Sequence, residues 1–201
     1  MSHPFPVVLV AASAGGIPAL SSVLRNLPVD FPAALIIVQH RTAGRSALPA
    51  ILARASAIPI RDAADGGRVD PGVAYIAPPD HQLVISPART FEWHDGERVH
   101  GMLGSANPLF ESGARVFGPS AIAVVLSGSG MDGTGGVQAI KAAGGTVIVQ
   151  DQATSQVFGM PRAAIRSGAV DRVLAIDQIA PALVQLITER APVITGPATS
   201  A

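Results

Sequence analysis

The sequence predicts a doubly wound, three-layer α/β/α fold, with a mostly parallel sheet between two layers of helices and a small antiparallel insertion. Three observations carry that expectation. Apolar, β-branched-rich runs recur at 6–12, 33–39, 122–126 and 146–150 without hydrophobic–polar alternation, the pattern of strands covered on both faces. Segments of helical spacing separate several of them. The connections are short and rich in glycine, proline and polar residues.

The first run, Pro6 to Ala12, stops at Ser13-Ala14-Gly15-Gly16, and a helix is expected from about Pro18 to Asn26, with proline in the first turn where its missing N–H costs nothing. The second run ends in His40-Arg41, and Thr42 to Arg45 reads as a polar loop. Leu48, Ile51, Leu52 and Ala55 then recur at helical spacing until Pro59 forbids continuation. A polar, glycine-bearing stretch over 62–71 leads to a short strand, Val73 to Ala77, and a Pro78-Pro79-Asp80 turn. Gln82 to Ser86 and Thr90 to His94 form the antiparallel excursion. The next helix is placed over Asn107 to Val116, with Asn107 as N-cap and Pro108 at its first position. The strand at 122–126 gives way to a loop with glycines at 128, 130, 133, 135 and 136, then to a helical run that closes on Gly144-Gly145. The strand at 146–150 ends in Asp151, and Asp177 to Arg190 is a closing amphipathic helix.

Composition bounds the function. The 201 residues suit one domain, residues 1–190, with a small, polar tail over 191–201 that is expected to be flexible. Hydrophobic residues make up 48% and charged residues only 14%, so much of the chain is interior. The formal net charge is zero with no block of like charge, which leaves no electrostatic footprint for nucleic acid. There is no cysteine for disulfides or thiolate metal sites. No apolar run reaches the ~20 residues a membrane span needs, and the N-terminus lacks the basic segment of a secretory signal. The expectation is a cytoplasmic domain without nucleic-acid partners or membrane insertion.

Functional residues of open α/β sheets gather beyond the carboxyl ends of the strands. Ser13, His40, Asp132 and Asp151 all fall there. A serine hydroxyl becomes a useful nucleophile when an imidazole takes its proton and a carboxylate fixes that imidazole, and Ser13, His40 and Asp132 supply the three types. Each also has a plainer reading. Ser13 suits a helix cap, His40 a hydrogen-bonded structural histidine, and Asp132 and Asp151 turn acids bonding their own backbone. His81, His94 and His100 lie in the polar middle and read as surface residues; with no HxxxH or HxH spacing they do not suggest zinc. A rival reading rests on Gly128-x-Gly130-x-x-Gly133, which follows a strand and precedes a helix, with Asp151 about 20 residues on to meet a ribose. That would make the chain a binder of a dinucleotide or an adenosyl cofactor, but leaves Ser13 and His40 without a role.

Several blocks resemble a known family. Val8 to Leu20, with Ser13-Ala14-Gly15-Gly16 at its centre, resembles the strand–Ser–Gly-Gly–helix signature of the chemotaxis protein-glutamate methylesterases, the CheB family. Val38-Gln39-His40 is similar to its histidine block, Asp65-Gly66 through Pro71-Gly72 and Tyr75-Ile76-Ala77-Pro78 to its central loop and strand, and Leu126 to Gly133 to its acid-bearing loop. Gln150-Asp151 and Phe158-Gly159-Met160-Pro161 match two further blocks. The resemblance implies Ser13 as nucleophile, His40 as general base and Asp132 as the acid orienting it, with Ala14, Gly15 and Ser129 near the oxyanion or substrate. The implied reaction removes γ-methyl esters from glutamates of a chemoreceptor's cytoplasmic domain or a similar signalling protein, with glutamine deamidation by the same route, and no metal or organic cofactor. Against the family pattern, Ala14 stands for a usual Thr, Ser129 for a usual Met, Arg41 for an apolar residue and Asn107-Pro108 for a Ser-Val-Asp-type stretch. The receiver domain that precedes the catalytic domain in well-known members is not expected, because the chain starts six residues before its first strand. A non-catalytic relic of the esterase fold is the remaining alternative.

Overall fold

A computed structural model describes residues 5–40, 46–95 and 104–190. Arg41, the loop through Arg45, His100 and the tail over 191–201 lie outside the described residues. In chain order the elements are β1 (Val7–Ala12), α1 (Gly16–Arg25), β2 (Ala34–Gln39), α2 (Leu48–Ala55), β3 (Ile60–Asp62), β4 (Ala74–Ile76), β5 (Gln82–Ile85), β6 (Phe91–His94), α3 (Ala106–Phe117), β7 (Ala121–Val125), α4 (Thr134–Ala142), β8 (Thr146–Gln150), α5 (Gly159–Arg166), β9 (Arg172–Leu174) and α6 (Ile176–Arg190).

The uninterrupted apolar runs become the centre of a seven-stranded parallel sheet of order β3-β4-β2-β1-β7-β8-β9. Strand periodicity divides β1 between two cores. Val7, Leu9 and Ala11 face α3, α4 and α5, whereas Val8, Val10 and Ala12 face α1, α2 and α6. Burying a large side chain such as Leu9, Ile36 or Phe110 contributes about 1.5–3 kcal/mol, so these two layers dominate the fold's stability. Glycine lets α3 and α4 come close: a Cβ on Gly136 would stand 2.5 Å from that of Phe110. The antiparallel excursion is a separate ribbon, β5 against β6, tied to α3 where the Ile85 N–H donates to Ser112 Oγ at 3.0 Å.

Several boundaries differ from expectation. Helix α1 begins at Gly16, two residues before Pro18, because Gly15 supplies the left-handed N-cap at φ 75°. Helix α3 starts at Ala106 with Ser105 as its cap, whose side chain accepts from the Asn107 N–H; Asn107 is therefore inside the helix and Pro108 occupies its third position. Strands β3 and β9 and helix α5 are additional elements. The two strands are three residues long with partly exposed side chains, too short to show a hydrophobic period.

The strand order reverses between β1 and β7, since the chain builds outward from β1 through β2 and β4 before returning to β7. Helices α1 and α4, which follow these two strands, pack on opposite faces of the sheet, so the residues just beyond β1 and β7 lie at the switch point where ligands of such sheets bind. Among the described residues no helix is long and apolar enough to cross a membrane.

Candidate active site

Parallel register brings the first two candidates together. Ala12 pairs with Gln39 as the last rung of β1 and β2, so Ser13 and His40 are the next residue of each strand. The His40 N–H donates to Ala12 O at 3.1 Å, and the Ser13 N–H donates to Ser127 O at 3.0 Å, which ties Ser13 to the end of β7 as well. Ser13 is not the helix cap; Gly15 holds that position without a side-chain bond. Its half-buried hydroxyl makes no hydrogen bond among the described residues.

Asp132 is fixed on every side. His40 Nε2 donates to Oδ2 at 2.7 Å, and the Ala106 N–H donates to the same oxygen at 2.7 Å. Oδ1 accepts from Ser105 Oγ and, at 2.9 Å, from the Gly133 N–H. The carboxylate thus also lies at the positive N-terminal end of α3. Burial raises its pKa, but hydrogen bonds from His40, Ser105 and Ala106 and the charge interaction with His40 outweigh that and hold it below the usual carboxylate value. Asp132 is therefore an anion at neutral pH. It does bond its own backbone like a turn acid, yet the 92-residue reach to His40 goes beyond that role. With Nε2–H committed to Asp132, Nδ1 is the imidazole nitrogen left to accept a proton.

Three buried polar side chains that the sequence reading did not single out support these loops from beneath. Gln39 and Gln150 end β2 and β8, and Ser127 follows the apolar run of β7 by one residue beyond Leu126. Gln39 Nε2 donates to the carbonyls of Ser13 at 2.9 Å and His40 at 3.2 Å. Ser127 Oγ donates to Ala14 O at 2.8 Å and accepts from the Val157 N–H at 2.9 Å. Gln150 Oε1 accepts from the Ser127 N–H at 2.8 Å. A fourth, Gln82 of β5, accepts from the Ser105 N–H at 2.9 Å, so the antiparallel ribbon braces the acid side. A polar residue ending an otherwise apolar strand is the sequence signal that could have flagged the first three.

The glycine loop is shaped for packing. A Cβ on Gly128 would stand 2.3 Å from Met160 Sδ and 3.0 Å from Ser13 Cβ, so that glycine admits the loop that carries Ser13. Gly130 and Gly133 take positive φ, 80° and 86°, where glycine is unstrained. The N-terminal turn of α4 is partly occupied: Gly136 N–H donates to Asn107 Oδ1 at 2.8 Å, where a pyrophosphate would need it. Asp151 spends Oδ1 on the Thr154 N–H and hydroxyl at 2.9 and 2.6 Å, as a loop-fixing acid. The geometry does not favour the dinucleotide or adenosyl-cofactor reading.

At the rim, Ala14 and Ser129 are exposed and Gly15 half-buried. The Met131 side chain beside Asp132 is 71% exposed. His94 is exposed with Nε2 against Glu92, and His81, partly exposed, stacks on the exposed Trp93 at 4.9 Å between ring centres. Among the described residues, no three His, Asp or Glu side chains cluster as a metal site would require.

Known proteins match most of the chain. A protein-glutamate methylesterase/protein-glutamine glutaminase from Anaeromyxobacter dehalogenans is 45% identical over 181 residues, covering 90% of this chain and 53% of the relative. A protein of the same description from Moorella thermoacetica is 43% identical over 193 residues, covering 90% and 44% respectively. The chain thus spans about half the length of these curated relatives. The crystal structure of the Thermotoga maritima CheB methylesterase catalytic domain superposes with a TM-score of 0.87 at 34% identity, over 91% of this chain and 99% of that one. A protein-family model described as CheB methylesterase matches residues 8–183. With that match spanning both cores and all three loops that carry Ser13, His40 and Asp132, the chain belongs to the CheB methylesterase family.

Proposed function

We propose that this chain is a serine hydrolase that removes methyl esters from glutamate side chains of a signalling protein. The observation that carries the reading is the half-buried His40–Asp132 pair, with the uncommitted hydroxyl of Ser13 on the strand end next to that of His40. Its relatives named as methylesterases and glutaminases supply the substrate class.

Ser13 Oγ attacks the γ-carbonyl carbon while His40 Nδ1 takes the hydroxyl proton. Asp132 holds the opposite nitrogen and stabilises the imidazolium that forms. Backbone N–H groups of Ala14, Gly15 and Ser129 are the proposed donors to the tetrahedral oxyanion; replacing a family Met by Ser129 keeps a main-chain donor and changes only the side chain. Collapse breaks the carbon–methoxy bond, and the imidazolium proton leaves with methanol. Water then attacks the acyl-enzyme, gives a proton to His40 and releases glutamate as Ser13 regains its hydrogen. The same cycle on glutamine releases ammonia. The proposed partner is a methylated chemoreceptor cytoplasmic domain or a similar signalling protein, met in the cytoplasm.

Methanol release from a helical peptide bearing glutamate γ-methyl ester tests this. The wild-type chain should turn the peptide over, and Ser13→Ala should lose about a thousandfold or more with an unchanged melting temperature. Undiminished turnover by Ser13→Ala, or none by the wild type, would contradict the proposal.

A further inference from the structure

We infer that Gln39 is a positioning residue that locks the nucleophile loop to the base loop through one buried amide. The inference rests on the reading of Ser13 and His40 as nucleophile and base.

Gln39 is 9% exposed and ends β2 immediately before His40. Its backbone follows the β1–β2 ladder, but its side chain reaches past the last rung. There Nε2 donates to Ser13 O at 2.9 Å and to His40 O at 3.2 Å. Both N–H bonds of one amide nitrogen are thus spent on the carbonyls of the two residues that must exchange a proton. The opposite amide orientation is excluded, since it would place Oε1 against two carbonyl oxygens.

The other end of the side chain shows what the arrangement is not for. Gln39 Oε1 is buried without a hydrogen-bond partner. It points at the α-carbon of Gly16, where a Cβ would stand 2.3 Å away. An unpaired buried acceptor is unfavourable, and an apolar side chain of the same size would avoid it. The Nε2 clamp gives the amide a purpose: the last ladder bond, from the His40 N–H to Ala12 O, holds the two residues on their amino side, and the Gln39 amide adds a tie between their carbonyl groups, where the ladder has ended. Small displacements between reacting groups are costly, with 1 Å enough for about a hundredfold in rate.

The test uses methanol release from the methyl-ester peptide together with active-site labelling by a fluorophosphonate. Gln39→Met keeps the volume and removes the donor. The expected result is a kcat lower by about 10- to 100-fold, KM within about twofold, and a fluorophosphonate labelling rate lowered in parallel, with full final labelling of one site per chain. Full labelling at a wild-type rate, or a loss that appears only as fewer labelled chains, would overturn the inference. Gln39→Glu is the second variant, should Gln39→Met not fold. Its carboxyl can donate only when protonated, so its rate relative to wild type should rise as pH falls from about 8 to 6; a flat ratio near one overturns the clamp. Ser13→Ala in the same assay separates the two ideas. An active Ser13→Ala defeats the underlying hydrolase reading, whereas an inactive Ser13→Ala beside a normal Gln39→Met defeats only the clamp.

Discussion

The two sides of the His40 imidazole are built to opposite specifications. On the acid side, Asp132 accepts four hydrogen bonds from three segments of chain and sits at the start of a twelve-residue helix. On the nucleophile side, the Ser13 hydroxyl makes none among the described residues, although its backbone is held by Ser127, Gly16 and Gln39. The contrast fits the proposed chemistry. A carboxylate that must stay charged and stationary gains from every donor, since charge-assisted bonds hold both its pKa and its orientation. A nucleophile must form and break a covalent bond, so its main chain is fixed and its oxygen left uncommitted. Rigidity is concentrated on the atoms that do not react.

Breaking the acid side gives the largest expected effect. Asp132→Asn removes the charge and can present an amide N–H to His40 where an acceptor is required, and kcat/KM on the methyl-ester peptide should fall by up to about 10⁴ with the fold retained. On the nucleophile side the sensitive point is packing. Gly128→Ala forces its Cβ against Met160 Sδ and Ser13 Cβ, 2.3 and 3.0 Å away, and should cost about 1–3 kcal/mol of stability by denaturant titration, while Met160→Ala in that background restores part of it. If Gly128→Ala is as stable as wild type, the loop is less closely packed against Ser13 than described.

Ser105→Ala is the smaller, sharper probe. It removes one donor to Asp132 and the cap of α3, so about 1 kcal/mol of stability should be lost. The pH dependence has a definite sign. Because Asp132's folded pKa lies below its ordinary value near 3.8, it contributes stability that is present above that value and lost as pH falls through the folded one. Ser105→Ala raises the folded pKa toward the ordinary value, so the variant's deficit should be fully present at neutral pH and shrink under acid. A deficit that is constant down to pH 2 would mean that the hydroxyl does not act on the carboxylate.

Much of this architecture was legible in the chain. Runs such as Val7–Ala12 and Ala34–Gln39 have no polar face, which only a doubly covered strand tolerates, and that placed Ser13 and His40 at the carboxyl ends of strands; that the two strands are neighbours comes from the fold. Asp132 was legible as an acid in a glycine loop. Its cap partner was not: Asn107-Pro108 reads as a helix start on local preference, yet Ser105 holds the cap because its hydroxyl serves Asp132 as well, and Asn107 turns its side chain to the Gly136 N–H of α4. Ser127 and Gln150 carry only the signal of a polar residue closing an apolar run, and Gln82 carries none, since their partners stand across loops that only the fold brings together. Local propensity reads one neighbourhood at a time, and these residues answer to two.

The central claim is that Ser13 Oγ is the atom that becomes acylated. Rapid quenching of the wild-type chain with a slowly deacylating activated ester, followed by peptide mass mapping, tests it most directly. The account predicts one acyl group per chain, on Ser13, absent from Ser13→Ala and slowed in its formation by Asp132→Asn. An acyl group on any other residue, or turnover with none trapped on Ser13 under conditions where deacylation limits the rate, would contradict it.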